Sequence, residues 1–217
     1  MKIRKQLEIN MENVKPCNAR DFYETIYSTK KPAGHPWVAG TASPELINLV
    51  WEGVISPGMK VLEAGCGIGT ESVFLAVRGM DVTSIDLSES AISLSKQLAK
   101  FYGVEINFQQ GDATNPDFPD ESFDVICEQG VFHHLTDEER EPYAKTITRL
   151  LRPNGLFVLR SYSDKIPGGP QPRRIKSDEL IDIFHPYLKL EELRRVLSFS
   201  SEKQHRPLGW YTLWEKR

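Results

Sequence analysis

Three glycines at every second position constrain this chain more than any other feature of its sequence. Gly65, Gly67 and Gly69 follow a short apolar run that begins at Val61 and predicts a buried strand. The stretch 71–80 then carries apolar residues at helical spacing and predicts a helix. A glycine-rich turn between a strand and a helix presents bare main chain and free N–H groups to a ligand. The segment therefore predicts a binding loop, and the alternative is a turn that binds nothing.

Composition and charge favour one globular α/β domain. The chain has 217 residues, of which 40% are hydrophobic and 26% charged, and its net charge is −3. This small negative charge gives no electrostatic reason to expect nucleic acid as the main partner. No run approaches the roughly 20 apolar residues of a membrane-spanning helix. The cysteines are odd in number and widely spread, which predicts reduced thiols, no metal site and a cytoplasmic protein: Cys17, Cys66 and Cys127.

The sequence divides into an N-terminal arm with an aromatic lid, residues 1–43, and a main domain, residues 44–217. In the arm, Tyr23, Tyr27 and Trp37 suit a lid over a pocket, although each ring alone could simply hold the arm to the domain. Strand and helix patterns alternate along the main domain, which predicts a parallel sheet with helices on both faces. Serine or threonine precedes four predicted helices as a cap: Ser43, Ser88, Thr136 and Ser177.

Three acids stand at the ends of predicted strands. Glu63 lies just before the first glycine, where a carboxylate suits a cationic ligand better than a pyrophosphate. Asp86 follows roughly 20 residues beyond that glycine, where doubly wound folds hold ribose hydroxyls. Asp112 comes after the third strand, between Gly111 and Ala113. A helix-capping or surface role is the alternative for Asp86, and an ordinary loop acid is the alternative for Asp112.

In this order the motifs resemble those of class I S-adenosylmethionine-dependent methyltransferases. The resemblance rests on the loop 63–69, on Asp86, on Gly111-Asp112-Ala113 and on the exit of the fourth strand at 128–129. The loop spacing also differs from the Gly-x-Gly-x-x-Gly of dinucleotide-binding proteins. More narrowly, His35-Pro36-Trp37 is similar to the start of thiopurine, thiol and tellurite methyltransferases, except that valine stands where that branch has aspartate.

This resemblance implies a doubly wound, mostly parallel seven-stranded Rossmann-like sheet, and S-adenosyl-L-methionine as the cofactor. It also implies direct methyl displacement onto an S, N or O atom of a small molecule. The implied cofactor-binding residues are Glu63, Gly65, Cys66, Gly67, Gly69, Asp86, Leu87, Asp112, Ala113, Glu128 and Gln129. Their placement makes three residues candidates for catalysis: His133, Glu128 and Tyr162. Candidates for substrate contact are Tyr23, Tyr27, Trp37, His133, Arg160 and Arg173, while His134 is expected to pack under its loop.

Three other interpretations remain open at this level. The protein could bind the cofactor as a regulatory partner without turnover. It could also methylate RNA or protein through a local patch of arginines such as Arg173 and Arg174, although scattered solvated arginines explain these residues equally simply. An NAD-dependent oxidoreductase is disfavoured by the glycine spacing. Monomer and dimer are both compatible with the sequence.

The ribose role of Asp86 generates the first testable prediction. Replacing Asp86 with alanine should weaken the binding of S-adenosylhomocysteine about tenfold to a hundredfold, because hydrogen bonds to a charged group contribute about 1.5–3 kcal/mol. Isothermal titration calorimetry measures this effect, with Asp81→Ala at the start of the same strand as the control. Unchanged affinity in Asp86→Ala would contradict the role, and no binding by the unmodified protein would make the loop a structural turn.

Overall fold

Helices and strands alternate through the computed structural model, which describes residues 19–29, 37–166, 172–197 and 208–217. The helices are α1 (Ala19–Thr29), α2 (Pro44–Trp51), α3 (Thr70–Val77), α4 (Glu89–Tyr102), α5 (Asp137–Leu150) and α6 (Ser177–Phe184). The strands are β1 (Lys60–Ala64), β2 (Asp81–Asp86), β3 (Asn107–Gln110), β4 (Phe123–Gln129), β5 (Leu151–Tyr162), β6 (Leu188–Leu197) and β7 (Leu208–Lys216). The interpretations of residues 1–18, which include Cys17, and of the stretch 32–36 lie outside the described residues.

All seven of these strands join one sheet in the order β3-β2-β1-β4-β5-β7-β6. β1 pairs in parallel with both β2 and β4, and β7 runs antiparallel between β5 and β6. The strand order reverses at β1, so a crevice forms there at the carboxyl ends of the strands, where α/β proteins bind ligands. The predicted doubly wound, mostly parallel seven-stranded fold is confirmed.

Alternate residues of the central strands enter two separate cores. In β1, Leu62 belongs to the core that α5 and α6 cover, and Val61 belongs to the core under α2 and α3. In β5, Phe157 and Leu159 enter the first core and Val158 the second. Successive side chains of a strand point to opposite faces of the sheet. Helices therefore bury both faces, as the alternating pattern of the sequence predicts.

The predicted caps of α4 and α2 differ in whether the serine hydroxyl makes the capping hydrogen bond. The Ser88 hydroxyl accepts a hydrogen bond from the Ala91 N–H at 3.0 Å, which confirms the predicted cap of α4. At α2 the Ser43 hydroxyl makes no capping bond, so that prediction was wrong in its detail. Instead, the Ser43 N–H donates to the Glu71 carboxylate at 3.2 Å. A tertiary contact thus replaces the local cap.

Several element bounds are set by features beyond the hydrophobic pattern. The helix predicted over 71–80 is α3, which ends at Val77 before Gly79 with its left-handed φ of 89°. α2 ends at Trp51, because Gly53 adopts a left-handed φ of 77° that terminates the helix. β3 lies at Asn107–Gln110, because pairing with β2 sets its register. α6 is preceded by Lys176 at the cap position, so Ser177 is its first residue and not its cap.

The aromatic centre of the first core generates a stability prediction. Phe184 is fully buried, and its ring centroid lies 5.1 Å from Phe132, 5.4 Å from Phe157 and 5.6 Å from Trp214. Replacing Phe184 with alanine should lower the free energy of unfolding by about 3–5 kcal/mol, because it leaves a cavity among these rings. Urea denaturation measures the change. Phe101→Ala is the matched control, since that ring is 82% exposed on α4, and equal losses in both variants would contradict the packing argument.

Candidate active site

The glycine loop lies at the switch point of the sheet, between β1 and α3. Gly67 has a left-handed φ of 53°, and a Cβ added there would meet the Tyr27 hydroxyl at 2.8 Å. A Cβ at Gly65 would lie 2.5 Å from a Val131 methyl group. Gly69 occupies the position just before α3, so this helix begins where the loop ends. Neighbouring side chains therefore exclude a larger residue at Gly65 and at Gly67. The N–H groups of the loop glycines already donate within the protein, that of Gly65 to the Ile85 carbonyl at 2.8 Å and that of Gly69 to the Cys66 carbonyl at 2.8 Å.

Asp86 ends β2 directly beside this loop. Its two carboxylate oxygens accept hydrogen bonds from the Gly67 N–H at 2.8 Å and from the Ser88 N–H at 2.9 Å. Burial raises the pKa of the Asp86 carboxyl, while these N–H donors oppose that rise. Each oxygen accepts one bond and keeps capacity for another. The fixed carboxylate therefore fits a ribose diol laid over the glycine loop.

Three further residues that the resemblance implies for the cofactor follow at the next strand ends. Leu87 is half-buried after β2, and its carbonyl accepts a hydrogen bond from the Gln110 side chain at 3.2 Å. Asp112 is exposed after β3, and one of its oxygens accepts hydrogen bonds from Thr114 at 2.8 and 2.7 Å. Ala113 is buried beside it. Asp112 thus forms an ordinary local turn and retains a second oxygen for a ligand.

A small acidic cavity of about 20 Å³ lies on the other side of the loop, between α2, the start of α3 and the ends of β1, β4 and β5. Its charged and amide side chains are Glu63, Glu71, Glu128, Gln129 and Arg160. The Arg160 guanidinium is buried, lies 3.3 Å from Glu45 and donates to the Gln129 amide oxygen at 2.7 Å. The cavity carries more carboxylates than cations, and so it fits a positively charged ligand.

Glu128 has an incomplete set of hydrogen bonds within this cavity. One of its oxygens accepts from the Val131 N–H at 2.7 Å, and the other finds no partner among the residues that the structure describes. Burial raises the pKa of Glu128 to about 8. Burial also raises the pKa of the neighbouring Cys127 thiol, which is therefore not a thiolate. Because a carboxyl with this pKa is mostly protonated at neutral pH, the unpaired oxygen of Glu128 fits a ligand that offers a hydrogen-bond acceptor.

Helix α1 places an aromatic lid over the glycine loop. The Tyr23 hydroxyl lies 2.7 Å from Nε2 of His134, and Nε1 of Trp37 donates to the Tyr27 hydroxyl at 3.0 Å. Burial raises the pKa of both tyrosines, and the negative charge of Asp86 raises it further. The predicted aromatic residues of the lid therefore lie together near Asp86 and the loop.

Glu24 on α1 anchors this lid. Its carboxylate accepts hydrogen bonds from the Ser88 hydroxyl at 2.7 Å, from the Ser90 N–H at 3.0 Å and from the Ser90 hydroxyl. These groups belong to the N-terminus of α4, where free N–H groups favour a negative charge. The hydrogen bonds lower the pKa of Glu24. One carboxylate thus caps α4 and holds the lid against the domain.

The two adjacent histidines take the opposite places to those expected. His133 is buried, its Nδ1 accepts from the Tyr162 N–H at 3.3 Å, and the two rings stack with centroids 4.6 Å apart. His134 keeps an exposed surface and contacts Tyr23, so the prediction that it packs under the loop was wrong. The 3-10 turn Phe132–His134 separates the two side chains by a third of a turn. Packing against Tyr23 removes water from part of the ring and lowers the pKa of His134 to about 4, so that the imidazole is neutral at physiological pH.

The two arginines predicted to contact substrate are already engaged. Arg160 belongs to the acidic cavity, as described above. The Arg173 guanidinium forms ion pairs with Asp137 and Glu179, and the backbone N–H of Arg173 donates to the His133 carbonyl at 3.2 Å. Arg195 likewise pairs with Asp164 at 2.7 Å. These contacts speak against the arginine patch that a macromolecular acceptor would require.

Three acidic residues of the site escaped the sequence analysis: Glu24, Glu45 and Glu71. Glu71 follows the glycine loop by two residues, and this spacing was the one available signal. Glu24 and Glu45 lie on helices whose polar positions look solvated in the sequence, and only packing against α4 and β5 reveals their contacts. No helix within the described ranges is both long and apolar enough to cross a bilayer.

Comparisons with known proteins identify the family. Residues 61–155 match the family model described as a methyltransferase domain. A thiocyanate methyltransferase of Brassica oleracea is 30% identical over 70% of this chain and 67% of its own. A 2-heptyl-1-hydroxyquinolin-4(1H)-one methyltransferase of Mycobacteroides abscessus is 29% identical over 81% of this chain and 80% of its own.

A solved structure reported for the conversion of a disulfide bond into a thioacetal group during echinomycin biosynthesis shares the fold. It superposes with a TM-score of 0.79 at 25% identity, over 91% of this chain and 92% of its own. The chain belongs to the class I S-adenosylmethionine-dependent methyltransferases. It is an enzyme that uses S-adenosyl-L-methionine to methylate an S, N or O atom of a small molecule.

The anchoring of the lid generates a prediction about local stability. Glu24→Gln should speed hydrogen exchange of the α1 amides roughly fivefold, because losing a helix-capping interaction costs about 1 kcal/mol. Exchange followed by mass spectrometry reports α1 separately from the core. Glu89→Gln is the matched control, since its exposed carboxylate lies in the first turn of the same helix, α4. Equal exchange in both variants would show that the Glu24 contacts do not hold α1.

Proposed function

We propose that this methyltransferase methylates an acidic hydroxyl group on a planar aromatic small molecule. The hydrogen bond between the Tyr23 hydroxyl and His134 carries this proposal, because it places a proton acceptor under the aromatic lid. A hydroxyl nucleophile must lose its proton during methyl transfer, whereas a thiolate or a neutral amine needs no base. A planar ring also suits the edges and faces of Tyr23, Tyr27 and Trp37, whose centroids lie 6.3–6.5 Å apart.

The hydroxyquinolone methyltransferase supports the same class of acceptor, since its name describes a heteroaromatic ring with a hydroxyl group. The two chains align over most of both lengths. A second candidate class is a sulfur acceptor, which the thiocyanate methyltransferase favours. These classes differ in their need for a base, so variants of Tyr23 and His134 separate them.

When it is bound, S-adenosyl-L-methionine supplies an electrophilic methyl group on a positively charged sulfur. The protein aligns the acceptor, excludes water with the lid and moves one proton. In this scheme the Tyr23 oxygen takes the proton of the acceptor hydroxyl while the Tyr23 proton passes to Nε2 of His134. His134 is neutral before this step and keeps an exposed surface, through which the proton returns to solvent.

The positions of the other candidate residues in the structure suggest a role for each of them. His133 and Tyr162 position His134 and the floor of the acceptor site, because their stacked rings lie directly beneath it. Glu128 is a cavity donor and not the base, since a carboxyl with a pKa of about 8 is mostly protonated at neutral pH. Arg173 has a positioning role, since its backbone N–H donates to the His133 carbonyl while its side chain pairs with Glu179.

For the cofactor, we assign Asp86 to the ribose, and Leu87, Asp112 and Ala113 to the adenine. The glycine loop with Cys66 would lie under the ligand, and Glu63, Glu128 and Gln129 would face its amino-acid end.

We retain the division into a lid arm, 1–43, and a catalytic domain, 44–217, because α1 packs on the domain as a separate helix. We also retain a cytoplasmic location, since Cys66 and Cys127 are free thiols. The small-molecule acceptor remains the main partner, without a role for membrane or nucleic acid.

Methyl transfer to a panel of acceptors tests this proposal. Hydroxyquinolones and phenols, thiocyanate and thiols, and amines would each be incubated with methyl-labelled cofactor, and the products identified by mass spectrometry. We expect O-methylated aromatic products. Transfer to sulfur alone would establish the second candidate and overturn the first.

The proton acceptor generates a kinetic prediction. Tyr23→Phe and His134→Asn should each lower kcat for hydroxyl acceptors about a hundredfold, because acid–base groups contribute roughly 10²–10⁴. Transfer to thiolates should be nearly unchanged. Tyr102→Phe, an exposed tyrosine of α4, is the control. Equal losses for hydroxyl and thiolate acceptors would assign the pair to positioning instead of proton transfer.

The pH dependence of kcat provides an independent check. A lowered pKa keeps the base form of His134 populated as the pH falls through the usual histidine range, and this form is lost only near pH 4. At saturating cofactor, kcat of the unmodified enzyme should therefore show no decline centred at about pH 6.5. A decline there would mean that His134 is not the neutral acceptor.

A further inference from the structure

Two carboxylates of the acidic cavity, Glu63 and Glu71, are held at the base of the glycine loop. Glu63 accepts a short hydrogen bond from the Ser72 hydroxyl, which also lies 2.7 Å from the Ser84 hydroxyl. Glu71 accepts from the Ser43 N–H at 3.2 Å. Both side chains line the same cavity. Neutral donors therefore hold this pair, while the cation that lines the cavity, Arg160, forms its ion pair with Glu45.

The charged groups around the pair come from every neighbouring element. Asp86 faces Glu63 from β2, and Glu128 lines the cavity from β4. The thiols of Cys66 and Cys127 are neutral because burial raises their pKa. Arg160 of β5 is the cation that faces the pair, and it forms an ion pair with Glu45 of α2. Arg194 of β6 also lies 3.8 Å from Glu45.

Because the nearby acidic groups outnumber the nearby cations, two negative charges on Glu63 and Glu71 are disfavoured. Burial, followed by the charge of Glu71, raises the pKa of Glu63 well above its usual value. Burial also raises the pKa of Glu71, although Arg160 opposes the rise. Two carboxyls in one low-dielectric site cannot both ionise easily, and one of them keeps a proton. A positively charged ligand stabilises the ionised form of both carboxyls, so that the proton is no longer retained.

We propose that Glu63 and Glu71 share one proton when the cavity holds no ligand, and that they release it to solvent when S-adenosyl-L-methionine binds. The inference rests on the cofactor assigned above. The cofactor carries a sulfonium, an ammonium and a carboxylate, whereas its product S-adenosylhomocysteine lacks the sulfonium charge. The shared proton therefore makes Glu71 a specificity-determining residue, which favours the cofactor over the product as the pH rises.

Calorimetry in two buffers with different heats of ionisation measures the protons released on binding. For S-adenosyl-L-methionine we expect a release that approaches one proton, so that affinity rises up to about tenfold per pH unit where the pair titrates. For S-adenosylhomocysteine we expect a smaller release and a weaker dependence on pH. The affinity ratio of the two ligands should therefore increase with pH.

Glu71→Gln is the decisive variant, because its amide oxygen can still accept the Ser43 hydrogen bond. It should abolish most of the proton release and flatten the dependence of cofactor affinity on pH. Glu52→Gln, at an exposed glutamate after α2, should behave like the unmodified protein. Glu128→Gln tests the other candidate source of the proton and should leave the release in place.

Infrared spectroscopy gives a second measurement that does not depend on any variant folding. The carbonyl stretch of a neutral carboxylic acid should be present in the free protein and decrease when the cofactor is added. Unchanged proton release in Glu71→Gln, or a release that disappears only in Glu128→Gln, would overturn the shared proton. Tight cofactor binding without any proton release would also overturn it while leaving the enzyme class intact, whereas no cofactor binding at all would overturn the cofactor assignment itself.

Discussion

The parallel pairing of β1 with both β2 and β4 is the constraint on which the rest of the structure depends. It brings the carboxyl ends of three strands to one edge, and each end delivers a carboxylate there: Glu63, Asp86 and Glu128. Because the strand order reverses at β1, the chain leaves in opposite directions and opens a crevice. The glycine loop follows β1 and therefore lies in this crevice, where a side chain on Gly65 or Gly67 would collide with Val131 or Tyr27.

Burying several carboxylates near one another imposes an electrostatic cost, and the fold meets it in two ways. Arg160 is paired with Glu45 inside the domain, and a serine hydroxyl and an N–H group donate to Glu63 and Glu71. The carboxylates nevertheless outnumber the cations at the cavity. A buried site of this kind favours a positively charged ligand, which agrees with the charge of S-adenosyl-L-methionine.

In the proposed scheme, helix α1 would connect the cofactor site to the acceptor site. Glu24 holds the helix to the start of α4, one turn from Asp86, while Tyr23 on the same helix contacts His134 beyond β4. A single short helix therefore spans both halves of the crevice. Its rings remove water from the place where methyl transfer would occur, and its tyrosine supplies the polar group nearest to the histidine.

The sequence by itself determined the fold class, the glycine loop and the acids at Glu63 and Asp86. Hydrophobic periodicity and glycine spacing are local properties, so they can be read along the chain. Only the tertiary structure decided the carboxylate pair with Glu71, the lid contact of Glu24 and which histidine meets Tyr23. The contacts of Glu71 and Glu24 join residues that are distant in sequence. The two histidines are adjacent in sequence but lie on different faces of one turn. All of these contacts depend on how whole elements pack, which no local pattern specifies.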